Sequence, residues 1–148
     1  MYIESLNILY QGEFLISDID DCIIYSSMSI RRHNIKKTYF YFNESIYDEF
    51  KRAVFLSAHL TPWGKEFLKL KQSLEFNDYL LLTASGNRME ILCEKLSIPT
   101  LDKIKENQTN QMKIDFLNCI DTPCIYVDDK VEVLNQISNN LVKTVLHR

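Results

Sequence analysis

Carboxylates are concentrated in a part of this chain that otherwise reads as buried. The segment FLISDIDDCIIYSS, residues 14–27, runs from apolar residues into Asp18, Asp20 and Asp21 and then straight back into apolar residues. One such Asp needs no more than an Asx turn at a strand end. Three within four positions repel one another and resist ionisation unless a cation lies among them, so a metal centre is expected. A second acidic pair, Asp128 and Asp129, closes the apolar run PCIYV, and Thr83 and Ser85 close the run NDYLLL. Lys113 lies between those two runs. Carboxylates from two separate segments supply the hard oxygen donors that Mg²⁺ takes alongside water and phosphate, while Thr, Ser and Lys suit the phosphate itself. Plainer roles exist for each: Thr83 as an ordinary strand-end residue, and Asp128 or Asp129 as a helix cap.

Elements with a suitable rhythm are present to position these groups. Continuous apolar runs over 14–19, 79–83, 123–129 and 141–147 predict buried strands. Between them, amphipathic spacing predicts helices over 45–58, 87–97, 111–120 and 130–140, and another from the cap Thr61 and the first-turn Pro62 to Glu75. This alternation indicates an α/β fold, a doubly wound parallel sheet covered on both faces. In such sheets ligands bind at the carboxyl ends of the strands, where all the polar groups named above would converge. Residues 24–60 interrupt the alternation and read as a small hairpin and helical arm inserted after the first strand.

At 148 residues the chain is long enough for one domain, 1–148, with its own hydrophobic core. Three Gly and three Pro leave no room for a low-complexity linker. No apolar run approaches the roughly 18 residues of a membrane span, and the first residues carry an acid where a signal peptide would be basic. A cytoplasmic location is therefore expected, with no membrane and no evident protein partner. The four cysteines form no CxxC pair and read as buried free thiols. The net charge of −3 gives no general attraction to nucleic acid. One local exception is RRHNIKK, residues 31–37, followed by TYFYF. There Arg31, Arg32, Lys36 and Lys37 would either guide an anionic substrate past aromatic rings or form a solvated face.

Taken in order, DIDDC, LLLTAS, Lys113 and IYVDD resemble the haloacid dehalogenase (HAD) superfamily of phosphotransferases, over most of the chain from Phe14 onward. The resemblance implies a HAD-like Rossmannoid fold and a Mg²⁺-dependent phosphatase that hydrolyses a phosphomonoester through an aspartyl phosphate. Asp18 would be the nucleophile and Asp20 the acid and base. Thr83, Ser85 and Lys113 would hold the phosphoryl group. The metal would sit on Asp18, the backbone carbonyl of Asp20, and one or both of Asp128 and Asp129. Cys22 departs from the pattern, which usually has Thr or Val there, and Lys103 and Lys105 are alternatives to Lys113, but they lie near an expected strand or loop whereas Lys113 opens a helix. The 29 residues between Thr83 and Lys113 leave no space for a cap domain. Any cover is then the small arm, and an open site suits a large phosphorylated substrate such as a nucleic-acid end, a nucleotide or a phosphoprotein. Two other readings are an inactive HAD-like binding or assembly subunit and a receiver-like phosphoacceptor domain. The receiver is disfavoured because its Lys follows the last acidic motif.

Overall fold

The computed structural model describes residues 1–26, 58–73, 76, 78–84, 97 and 103–147. The chain begins with an antiparallel ribbon, β1 (Tyr2–Ile3) and β2 (Ile8–Leu9), joined by a 3₁₀ turn over Glu4–Leu6. Sequence patterning did not predict this ribbon, because its strands are too short to show a period. Then come β3 (Phe14–Asp18), β4 (Ile24–Ser26), β5 (Ala58–Leu60), helix α1 (Pro62–Lys71), β6 (Tyr79–Leu82) and β7 (Ile104–Lys105). Helix α2 (Asn110–Asn118), β8 (Cys124–Asp128), the single-turn helix α3 (Val131–Leu134) and β9 (Val142–Leu146) complete the order.

Five of these strands form one sheet in the order β7-β6-β3-β8-β9, with every neighbouring pair parallel. Counted along the chain, the sheet strands run 3-2-1-4-5, the order of a Rossmann-type sheet. From β3 the chain builds outward through β6 to β7, then crosses back to β8 on the other side of β3. The crevice between β3 and β8 is thus the switch point, and β3 is buried as the central strand.

Side-chain alternation along the strands divides the core in two. Leu15, Leu81, Ile125 and Val127 point to one face, where Trp63, Phe67 and Leu70 of α1 and Ile3, Leu6, Ile8 and Tyr10 of the amino-terminal residues cover them. Ile16, Leu82, Cys124, Tyr126 and Val142 point to the other, beneath Ile114 and Leu117 of α2 and Val133 of α3. Helices therefore lie on both faces of the sheet, and Trp63 and Phe67 belong to the core, as their spacing predicts. Thr61 caps α1, its hydroxyl accepting from the Gly64 N–H at 3.0 Å, with Pro62 in the first turn.

Several expectations need adjustment. The helix predicted over 130–140 ends after one turn. Asparagine side chains take over the backbone groups there: Asn118 Oδ1 accepts from the Ser138 and Asn139 N–H groups, and Asn139 Nδ2 donates to the Leu117 and Ile120 carbonyls. Cys22 and Cys124 are buried thiols, but Cys119 is exposed, and Cys93 lies outside the described residues. The two ends of the predicted arm pair as β4 and β5, while 27–57, which include most of the helix predicted over 45–58, lie outside the described residues. So does the helix predicted over 87–97, apart from Ser97. Among the described residues no helix is long and apolar enough to cross a membrane.

Candidate active site

The acidic loop after β3 owes its shape to the turn Ile19–Ile24 and to its contact with α1. The N–H groups of Cys22, Ile23 and Ile24 all reach the Ile19 carbonyl, at 3.2, 2.9 and 3.1 Å, and Asp21 adopts a left-handed φ of 62°. Asp is among the few non-glycine residues that tolerate that region. Thr61 then bonds the loop to α1, donating to the Cys22 carbonyl at 2.5 Å and lying 3.1 Å from that of Ile23. The fit requires Gly64, because a Cβ there would stand 2.2 Å from the Ile23 oxygen.

Alternation along β3 sends Ser17 and Asp18 to opposite faces. On the α1 side, Ser17 is fully buried, accepts from the Trp63 indole N–H at 3.1 Å and donates to the Asp18 carbonyl at 2.9 Å. The Cys22 sulfur lies 3.7 Å from the same hydroxyl. On the α2 side, the Asp18 carboxylate meets Lys113, whose Nζ donates to Oδ1 at 2.6 Å across 95 positions of sequence. Both groups are almost wholly shielded from water. The α2 cap Thr109 and the apolar Ile114 and Leu117 fix the helix that carries Lys113.

β8, hydrogen-bonded beside β3, brings in the second acidic pair. Asp128 is fully buried; Oδ2 accepts from the Tyr126 hydroxyl and Oδ1 from the Lys130 N–H at 3.1 Å. Lys130 is the N-cap of α3 and its own side chain makes no capping bond, so Asp128 meets the helix start only through the Lys130 N–H. Oxygens of Asp18, Asp128 and Asp129 lie within 4.8 Å of one another. Asp20 stands on the β6 side of the loop, with Oδ2 3.2 Å from the donating Thr83 hydroxyl. The Thr83 backbone is held in turn, its N–H to the Lys105 carbonyl at 3.0 Å and its carbonyl to the Gln108 N–H at 2.8 Å.

This arrangement is electrostatically unbalanced. Burial pushes the Asp18 carboxyl well above its usual range; Lys113 pulls it down, and Asp128 and Asp20 push it further up. Burial raises Asp129 too, with the neighbouring Asp128 adding to the effect. The Cys22 thiol is driven up by burial and then by Asp18, so it is a neutral packing group rather than a nucleophile. Among the described residues three carboxylates face one ammonium, and Asp129 Oδ1 is buried without a hydrogen-bond partner. A divalent cation would balance that excess and occupy the orphaned oxygen. The donor set, oxygen only, is the one Mg²⁺ takes.

Of the residues singled out by sequence, Asp18, Lys113, Asp128 and Asp129 are brought together, and Asp20 meets Thr83. The alternatives to Lys113 are engaged elsewhere. Lys103 pairs at 3.0 Å with Asp78, just ahead of β6 at the amino end of the sheet, and the Lys105 ammonium lies 4.5 Å from the centre of the Phe116 ring. Ser85, Arg31, Arg32, Lys36 and Lys37 lie outside the described residues. Sequence reasoning missed Tyr126, Ser17 and the Thr61 bonds to the loop. Period-two alternation in IYVDD would have placed Tyr126 and Asp128 on one face, but it says nothing about the hydrogen bond. The chain matches no protein-family model, no curated protein and no solved structure.

Proposed function

We propose that this chain is a Mg²⁺-dependent phosphatase of the haloacid dehalogenase type, hydrolysing a phosphomonoester through an aspartyl phosphate on Asp18. One observation carries the reading: a nucleophile-type carboxylate, a buried lysine and a second acidic pair meet at the carboxyl ends of adjacent strands, at the switch point of the sheet. A carboxylate attacks an anionic phosphate only where positive charge cancels their repulsion. Lys113 supplies one such charge. Mg²⁺, held by Asp18, Asp128, Asp129 and the Asp20 carbonyl, would supply more by neutralising phosphoryl oxygens.

Lys113 occupies Oδ1 of Asp18 and orients the carboxylate, leaving Oδ2 to form the bond to phosphorus. As the bond to the leaving oxygen breaks, Asp20 gives that oxygen its proton. Asp20 then takes a proton from the water that attacks the aspartyl phosphate, releasing inorganic phosphate and restoring Asp18. Thr83, whose hydroxyl lies on Asp20 Oδ2, aims this group and stands at the strand end where phosphoryl oxygens would arrive. Strand order also bears on the receiver-like alternative: receivers have the flavodoxin-like order 2-1-3-4-5, whereas this sheet runs 3-2-1-4-5.

A panel of phosphorylated metabolites, nucleotides, oligonucleotide ends and phosphopeptides, assayed with and without Mg²⁺, tests the proposal. Turnover of at least one class should require Mg²⁺ and vanish in Asp18→Asn, a near-isosteric change that removes the attacking charge. Undiminished phosphate release by Asp18→Asn would overturn the assignment.

A further inference from the structure

None of the steps above uses Tyr126, although it is one of the largest fully buried side chains. A phenylalanine would fill the same space on a strand covered on both faces, so the hydroxyl needs its own explanation. A buried tyrosine hydroxyl finds a hydrogen-bond partner, and any backbone carbonyl would do. Here the partner is Oδ2 of Asp128, a member of the carboxylate cluster. The other Asp128 oxygen accepts from the Lys130 N–H. Asp128 is therefore gripped at both ends and cannot turn about its terminal torsion without breaking one bond. Asp129 differs, because its buried Oδ1 has no partner among the described residues. The two adjacent acids have separate tasks: one is held as a fixed wall and the other keeps an oxygen open.

We propose that Tyr126 is a positioning residue for the cation site, its hydroxyl fixing Asp128 in the orientation that lets Asp18, Asp128 and Asp129 close on one Mg²⁺. The inference rests on reading that cluster as a magnesium site. Groups that orient metal-binding carboxylates are commonly worth about 10- to 100-fold in metal affinity. That range sets the expected size of the effect.

Titration of the purified protein with Mg²⁺ by calorimetry, repeated with Mn²⁺ by electron paramagnetic resonance, reads the site without reference to turnover. Tyr126→Phe should bind either ion about 10-fold more weakly or worse. Equal affinity in wild type and Tyr126→Phe would overturn the role of Tyr126 while leaving the magnesium site standing. A wild-type protein that binds no Mg²⁺ would overturn the magnesium reading, and this inference with it. Should the variant fail to fold, proton NMR of the wild type decides. The shielded Tyr126 hydroxyl should give a slowly exchanging downfield resonance that shifts when Mg²⁺ binds, and a resonance unmoved by saturating Mg²⁺ would overturn the proposal.

Discussion

Replacing Lys113 by Met tests the core of the site, because it keeps the length and apolar stem of the side chain and deletes only the ammonium. Lys113 and Asp18 side chains are 2% and 4% exposed, so water does little to screen either charge. Removing one partner of such a buried pair costs about 3–5 kcal/mol, since the other charge is left uncompensated. For a chain of this size each kcal/mol moves the thermal midpoint by about 2–4 °C. Lys113→Met should therefore melt about 6–20 °C below wild type in cation-free buffer near neutral pH. Asp18→Asn on the Lys113→Met background should restore part of that loss, because the stranded carboxylate is gone. The assay is thermal unfolding followed by circular dichroism for wild type, both single variants and the double variant, a complete double-mutant cycle. The loss should also shrink in acid, where Asp18, already pushed up by burial, takes a proton instead. A Lys113→Met midpoint within about 2 °C of wild type, or effects that simply add, would refute the buried pair and the site built on it.

Two further outcomes are expected. Gly64→Ala should lower the midpoint despite the better helix propensity of Ala, roughly a 1 kcal/mol gain, because the new Cβ meets the Ile23 carbonyl at 2.2 Å; a more stable variant would refute the close docking of α1 on the acidic loop. Stabilisation by Mg²⁺ should grow with pH: Asp18 and Asp129 are raised above the usual 3.8, so the folded, cation-free protein binds more protons than the unfolded chain and loses stability as pH rises from about 4 through the raised values, a loss that Mg²⁺ reverses. Melting curves with and without Mg²⁺ across the acid range would contradict this if the Mg²⁺-induced shift stayed constant.

Much of this protein was legible in its sequence because the relevant signals are local. Continuous apolar runs marked four of the five sheet strands; the fifth, β7, was expected only as a strand or loop near Lys103 and Lys105, because two residues carry no period. Thr61 and Pro62 announced α1, since a cap and a first-turn proline act within one turn of helix. Where local signals competed, reading was weaker: Asn118 and Asn139 end α3 early through bonds made 19 or more positions away in sequence. The polar residues at the strand ends could be named in advance because alternation with helices forces parallel strands, and parallel strands present their carboxyl ends together. Their partners were a different matter. Strand order alone decides that β3 and β8 are neighbours, and with it that Lys113 meets Asp18 rather than another acid. Only packing in three dimensions gives Ser17 its bond to the Trp63 indole, Tyr126 its bond to Asp128, and Asp129 an oxygen left unpaired among the described residues. Each of these depends on distances between segments remote in sequence, which no period or spacing along the chain encodes.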